Sequence, residues 1–347
     1  MNPRADGPAP APRRTTLVQV AQLAGVSLKT ASRALGGEPH IRPATRDQVL
    51  AAARELGYRR NTAASLLARG HHSDSFGLIT GDLTNPFYSA LAQGLEDEIR
   101  TEGLHLTVAN SRESPELERS VAQSLADWQT KAVVVASAMP DHSSYAALQE
   151  HGIPVVFVDR AAQQIEADSV VFDNAGGGET AARHLLAGGH RRIAFIGDYT
   201  WLPTYQERLA GMAGAMDAAG IEGWRRWVRA GAHDVPSARA ATAELLDGDD
   251  PPTAFFAGNN RAALGVIEEL VGRSVDGGAP AVVGFDDFEG ARALGVTVIA
   301  NDPQEMGRRA GRLALDRLAD RDLPVQTVTL PTTLVTRGSG ERPPPRD

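Results

Sequence analysis

From Phe76 onward the chain repeats one pattern, a short apolar run followed by a segment of helical spacing. The apolar runs are Phe76 to Thr80, Leu104 to Ala109, Ala132 to Ala136, Val155 to Val158, Val170 to Phe172, Arg192 to Gly197, Ala254 to Ala257 and Ala281 to Phe285. Too short for helices and dominated by apolar residues, they read as parallel strands. Ser89 to Glu102, Glu116 to Trp128, Glu179 to Ala187 and Arg208 to Ala219 read as the helices between them. Strand, helix and strand in alternation make βαβ units with helices on both faces of each sheet. These elements exceed one sheet, and 347 residues with 42% hydrophobic content allow two or three folding units. The chain has no cysteine, which excludes disulfides and thiolate chemistry. No apolar run approaches the roughly 18 residues of a membrane span, and the first 15 residues lack the apolar middle of a secretory signal. The expectation is a cytoplasmic protein with no membrane partner.

The segment before this α/β region is built differently. Val18, Val20, Ala21 and Ala24 fall at helical spacing, and Gly25 interrupts them where a tight reversal needs a residue without Cβ. Ser27 then stands as the N-cap of a second helix, whose inner face Ala31 and Ala34 keep small. Leu28, Lys29, Thr30, Ser32 and Arg33 remain for the outer face, a set suited to phosphates, base edges and methyl groups. Charge divides in the same place. Up to His72 there are eleven Lys and Arg against four Asp and Glu, and the rest of the chain holds 24 against 39. A basic end attracts polyphosphate while an acidic remainder resists unspecific adhesion to it. Lys29 is one of only two lysines, a compact ammonium where the chain otherwise uses the arginine fork. Pro43 suits the first turn of a third helix running to about Leu56, with Val49, Ala52, Ala53 and Leu56 inward.

Taken from Thr16 through Ile41-Arg42-Pro43-Ala44-Thr45-Arg46, Val49 to Tyr58 and Asn61, this segment resembles the headpiece of the lactose-repressor and purine-repressor (LacI) family of transcription factors. The resemblance implies an all-α helix-turn-helix headpiece followed by an α/β core of two Rossmann-like lobes, similar to periplasmic sugar-binding proteins. It divides the chain into a disordered extension (1–14), a DNA-binding domain (15–60), a hinge helix and linker (61–74), a core (75–340) and a tail (341–347). Lobe 1 would comprise about 75–172 and 302–325, and lobe 2 about 173–301 and 326–340, with crossings near Phe172-Asp173, Asn301-Asp302 and Val325.

The resemblance also implies DNA contacts by Thr16, Ser27, Leu28, Lys29, Thr30, Ser32, Arg33, Asn61, Ala64 and Leu67, with Leu67 as a wedge in the minor groove. The chain departs from the family at Arg42, where a serine cap is usual. It departs again at Ser65-Leu66, where the hinge usually reads Arg-Ser. A hinge of eight residues is below the roughly 12 to 15 at which a lone helix is even marginal, so it is expected to order only on DNA.

For the effector cleft the matching positions are Phe87 in Asn85-Pro86-Phe87-Tyr88, Arg208 in Glu207-Arg208-Leu209, Asn259, and Asp286 in Gly284-Phe285-Asp286-Asp287. An arginine fork suits paired oxygens and a carboxylate accepts from hydroxyls. Trp201 either stacks on a sugar face or closes a loop. Tyr88 either lines the cleft or packs in the core.

One competing motif is Gly176-Gly177-Gly178-Glu179-Thr180-Ala181, which fits G-x-G-x-x-A with Asp198 ending the next strand. Asp173-Asn174-Ala175 separate it from the preceding strand, so the turn is expected to be looser than one that cradles pyrophosphate, and no NAD(P) or other cofactor is expected. G-x-S-x-G, H-E-x-x-H and P-loop patterns are missing, His71-His72 fall in a linker, and His184 and His190 suit structural hydrogen bonds rather than a metal. The chain is therefore not expected to be an enzyme. The expected function is a homodimeric, ligand-responsive regulator, a repressor, that binds an inverted-repeat DNA operator and a sugar or sugar derivative. The alternative is a solute-binding protein without transcriptional activity.

Overall fold

The computed structural model describes residues 15–36, 39, 41–58, 73–273 and 278–344, in two compact units, Met1–Ser73 and Asp74–Asp347. The expected extension 1–14 and the hinge residues Asn61, Ala64 and Leu67 lie outside the described residues.

In the first unit, α1 (Leu17–Leu23), α2 (Leu28–Leu35) and α3 (Pro43–Glu55) pack around Val20, Ala21, Ala31, Ala34, Val49, Ala52 and Ala53. Gly25 takes φ +62° at the turn, with open space where a Cβ would stand, so the backbone angle is what requires glycine. Thr16 caps α1 through a capping box with Gln19. Ser27 caps α2 by accepting from the Thr30 N–H at 3.1 Å. Ser27→Ala is expected to destabilise this unit by about 1 kcal/mol, read as a lower denaturant midpoint. Arg42 starts α3 with no side-chain cap, as its departure from the family serine implies. Of the four residues read at helical spacing, Val20, Ala21 and Ala24 are buried in this core, while Val18 is 49% exposed.

The second unit holds two six-stranded sheets. The first contains β1 (Ser75–Thr80), β2 (His105–Asn110), β3 (Ala132–Val135), β4 (Val155–Val158), β5 (Asp168–Phe172) and β11 (Thr327–Leu330) in the order β11-β5-β4-β3-β1-β2. The second contains β6 (Ile193–Ile196), β7 (Val228–Arg229), β8 (Ala254–Ala257), β9 (Ala281–Phe285), β10 (Thr297–Ala300) and β12 (Thr333–Val335) in the order β12-β10-β9-β8-β6-β7. The two orders correspond strand for strand. Successive residues of β3 and β4 face opposite ways: Ala132, Val134, Val156 and Val158 join one core, while Val133, Val135, Val155 and Phe157 join the other. Burial on both faces explains why these runs carry no polar alternation.

On the first sheet, α4 (Pro86–Arg100) packs against α11 (Pro303–Ala319), with α5 (Pro115–Asp127) and α6 (Ala146–Glu150) supplying the opposite core. On the second, α7 (Asn174–Ala187) packs on α8 (Pro203–Ala218), and α9 (Val235–Leu246) on α10 (Asn260–Val271).

Two boundaries differ from expectation. Strand β11 pairs in parallel with β5, so the third crossing follows Leu330 rather than falling near Val325. From there the chain enters lobe 2 at the ends of its strands and must run back down, which makes β12 antiparallel to β10. The expected tail is also partly anchored: Glu341 accepts from Thr297 Oγ1 at 2.9 Å, and the Arg342 carbonyl lies 2.9 Å from His190 Nε2.

The glycine run is not a loop. Helix α7 begins at Asn174 behind the Asp173 cap, so Gly176, Gly177 and Gly178 occupy its first turns. A Cβ at Gly177 would press into Phe285 and Ile299, and one at Gly178 would run into the backbone carbonyl of Arg208. Gly211 on α8 faces the Ala175 carbonyl in the same way, and Gly94 with Gly307 makes the equivalent crossing of α4 and α11. The motif serves close helix packing, which removes the dinucleotide reading.

Candidate functional site

In parallel α/β sheets, ligands bind beyond the C-terminal ends of the strands. Here those ends from both lobes enclose a cavity of about 260 Å³ lined by Asp82, Tyr88, Glu113, Asp159 and Arg160 of lobe 1 and by Asp198, Tyr199, Arg208, Asn259 and Asp286 of lobe 2, among others. Corresponding strands place corresponding groups. Asp82 and Asp198 follow β1 and β6 after a glycine, while Asp159 and Asp286 follow β4 and β9 directly. Both members of the second pair take left-handed backbone, φ 67° and 69°. Their N–H groups donate across the sheet to Val170 and Ile299. Aspartate tolerates that conformation better than most side chains, and holding it aims the carboxylate over the strand ends.

Among the expected cleft residues, Arg208 is 5% exposed. Its Nε donates to Asn174 Oδ1 at 2.8 Å and Nη1 to the Gly258 carbonyl at 2.6 Å, with the guanidinium 3.8 Å above the Phe285 ring. Nη2 stands 3.9 Å from Asp286 Oδ1, within ion-pair range and too far for a hydrogen bond. Asp286 Oδ1 accepts from Asn301 Nδ2 at 2.7 Å. Arg208 and Asp286 thus form a fixed donor and acceptor edge.

Asn259 lines the cavity, but both ends of its amide are engaged, Oδ1 capping α10 at Ala262 N and Nδ2 donating to Asp198. Phe87 reaches the cavity from the lobe 1 core, edge-on to Tyr88 and Phe172. Tyr88 does both things foreseen for it, lying buried and lining the cleft. Trp201 does not line the cavity; it is 43% exposed and stacks on Tyr199.

The lobe 1 half contains groups that the sequence reading passed over. Arg160 is buried, gives Nη1 and Nη2 to Glu113 at 2.8 Å each, and gives Nη1 also to the Ser137 carbonyl. Its Nε has no hydrogen-bond partner, an orphan donor beside the cavity. Glu113 crowds Gly81, where any side chain would collide with the carboxylate. At the mouth, the lobes touch directly: Arg261 donates to Asp82 at 2.9 Å, and Asn260 to Asn85 at 2.8 Å.

Burial pushes the Asp159 carboxyl up to about 6, against the opposing pull of Arg160 and Arg208. Burial also raises Asp198. A carboxyl raised in the folded state favours folding below its unfolded value and loses that contribution as pH rises through the folded value. Asp159→Asn is therefore expected to stabilise the second unit at pH 7 by roughly 1 to 3 kcal/mol, with the gain gone below about pH 4. Thermal melts across pH 4 to 8 check this, and an equal gain at every pH contradicts it.

In the first unit, Ser27, Leu28 and Lys29 are exposed on α2, Thr30, Ser32 and Arg33 half-buried, and Thr16 exposed at the start of α1. The Thr16 and Ser27 hydroxyls serve the caps described above. Among the described residues, no group of three or more His, Cys, Asp or Glu side chains is arranged to hold a metal, and no helix is long and apolar enough to cross a membrane. His184 contacts Glu341, and His190 contacts Thr253 and the Arg342 carbonyl.

Comparison with known proteins agrees with this geometry. Residues 16–61 match the family described as bacterial regulatory proteins, lacI family, and residues 73–324 match periplasmic binding proteins and sugar binding domain of LacI family. The chain is 34% identical to the HTH-type transcriptional regulator CelR of Thermobifida fusca, over 94% of this chain and 99% of that one. It is 30% identical to the HTH-type transcriptional regulator GalR of Escherichia coli (strain K12), over 94% and 96%. The structure of a CelR–cellobiose complex is similar with TM-score 0.70 at 31% identity, covering 94% of this chain and all of that one. The lac repressor dimer bound to operator and the anti-inducer ONPF is similar with TM-score 0.78 at 25% identity, covering 94% and 99%. These relatives are regulators rather than enzymes, and with a helix-turn-helix unit followed by two lobes around a cleft, the chain belongs to the LacI family of DNA-binding transcriptional regulators.

Proposed function

We propose that this regulator is a homodimeric repressor whose hold on an inverted-repeat operator is changed by a sugar bound between the two lobes of its core. The observation that carries the reading is the cleft itself, to which both lobes contribute polar side chains around aromatic walls. A ligand touching both lobes favours one lobe orientation, and a differential affinity of about 1 to 3 kcal/mol suffices for regulation. The similarity to a regulator solved with cellobiose supports a sugar as that ligand.

At the other end, α2 presents Leu28 and Lys29 outward, as a helix placed in the major groove requires. Lys29→Ala is expected to cost roughly 1 to 3 kcal/mol on the cognate operator and much less on random DNA. Equal losses on both would assign Lys29 to phosphate contact. The proposal is tested by gel shifts on the DNA upstream of the protein's own gene, with and without cellobiose, galactose and ribose. It requires a sugar-dependent shift and an intact inverted repeat. Tight binding to a lone half-site, or sugar binding with no DNA binding at all, would overturn it, the latter in favour of a solute-binding protein.

A further inference from the structure

An aromatic row continues beyond the cleft, with Tyr199 and Trp201 on the loop between β6 and α8 and His233 on the segment between β7 and α9. Tyr199, on the cleft wall, lies nearly parallel to His233, with ring centroids 4.9 Å apart and 14° between planes. It lies nearly parallel to Trp201 as well, at 5.8 Å and 15°. His233 and Tyr199 line the cavity, and Trp201 extends the row out of it.

The loop is pinned at both ends. Asp198 Oδ1 accepts from the Tyr199 N–H at 2.8 Å, the Leu202 N–H donates to the Tyr199 carbonyl, and the Leu202 side chain is buried. Gln206 of α8 holds the Thr200 carbonyl at 2.9 Å. An exposed tryptophan on a wandering loop would mean little, since single exposed apolar residues are ordinary. This indole is stacked on a cleft residue, sits on a fixed loop and remains 43% open to solvent.

We propose that the row is a second sugar subsite, and that the effector is a disaccharide or longer, one ring between the lobes and the next on Trp201. The inference rests on the sugar reading of the cleft. A pyranose ring presents polarised C–H bonds on its face, which suit the electron-rich face of an indole. Its hydroxyls point outward around the rim, where they stay in water and need no buried partner. A fixed loop loses little conformational freedom when the ring docks, so the stacking is retained as affinity.

The test is titration calorimetry on the full-length protein with glucose, cellobiose and maltose, repeated on Trp201→Ala and Trp201→Phe. At least one disaccharide should bind the unaltered protein more tightly than glucose does. Trp201→Ala should lower that disaccharide's affinity by roughly three- to tenfold while moving glucose by less than about twofold, and Trp201→Phe should keep most of the advantage. Equal losses for glucose and disaccharide would make Trp201 a structural residue of the loop, and no loss for either would remove the subsite. Glucose binding as tightly as both disaccharides would overturn the subsite and leave the cleft reading standing. Binding of none of the three would overturn the subsite, and the cleft reading falls with it only if galactose and ribose also fail to bind.

Discussion

Asp286→Ala is expected to abolish the response to sugar while leaving operator affinity without sugar nearly unchanged. Asp286 is buried at the end of β9 and is held by Asn301 opposite Arg208, so its carboxylate is the acceptor half of the edge a sugar hydroxyl would meet. A hydrogen bond to a charged group is worth about 1.5 to 3 kcal/mol, which lowers sugar affinity roughly 10- to 150-fold. The substitution also leaves the Asn301 donor unpaired and the Arg208 charge without its nearest carboxylate, so the empty cleft gains no compensating contact. Helix α2 belongs to the other compact unit and keeps its own core. Calorimetry with sugar and anisotropy with operator separate the two outcomes. Unaltered sugar affinity, or lost operator binding in a protein whose core remains folded, would contradict the assignment.

A comparable loss, this time of the fold, is expected from Gly178→Val. Helices α7 and α8 cross where Gly178 meets the Arg208 backbone and Gly211 meets the Ala175 backbone. Neither obstacle is the end of a flexible side chain, so a branched side chain must push the helices apart. Overpacking in a core costs typically 1 to 3 kcal/mol, and one whose Cβ runs into the backbone of a partner helix belongs in the tail beyond about 4 kcal/mol. Little soluble, folded protein is expected. Gly214, one turn further along α8, has open space where a Cβ would stand, so Gly214→Ala should fold normally and gain a few tenths of a kcal/mol, up to about 1, from helix propensity. Denaturant melts on the two variants compare them directly. The crossing also has a functional side, because the backbone it locks is that of Arg208, which lines the cleft.

The same crossing shows where sequence and structure part. Three glycines after an apolar run read as a loop because glycine disfavours helices, yet close approach to a partner backbone outweighs a propensity cost of about 1 kcal/mol per residue. Strands buried on both faces were legible from apolar runs alone. The edges β7, β11 and β12 were not, since β7 has two residues, β11 alternates exposed threonines with more covered positions, and β12 has three residues and begins on an exposed threonine. In Thr297–Ala300, the threonine leaves too short an apolar run to stand out.

In the cleft, Arg208 and Asp286 were found through family resemblance, while Asp159, Arg160, Glu113 and Asp82 were not. They lie far apart in sequence and meet only because parallel strands end together. One signal was present: Asp159-Arg160 follows the run Val155 to Val158 as directly as Asp286 follows Ala281 to Phe285. Charged residues at the ends of continuously apolar strands are candidates for the ligand face of a parallel sheet.

The central claim is that the cleft and the recognition helix report on each other, and thermodynamic linkage makes this measurable from both sides. Operator affinity is to be determined with and without saturating sugar, and sugar affinity with and without saturating operator, on the same full-length protein. The two ratios should agree, at a factor between about 5 and 150. A sugar that binds the cleft with the same affinity whether or not operator is present, while operator binding ignores the sugar, would contradict the account.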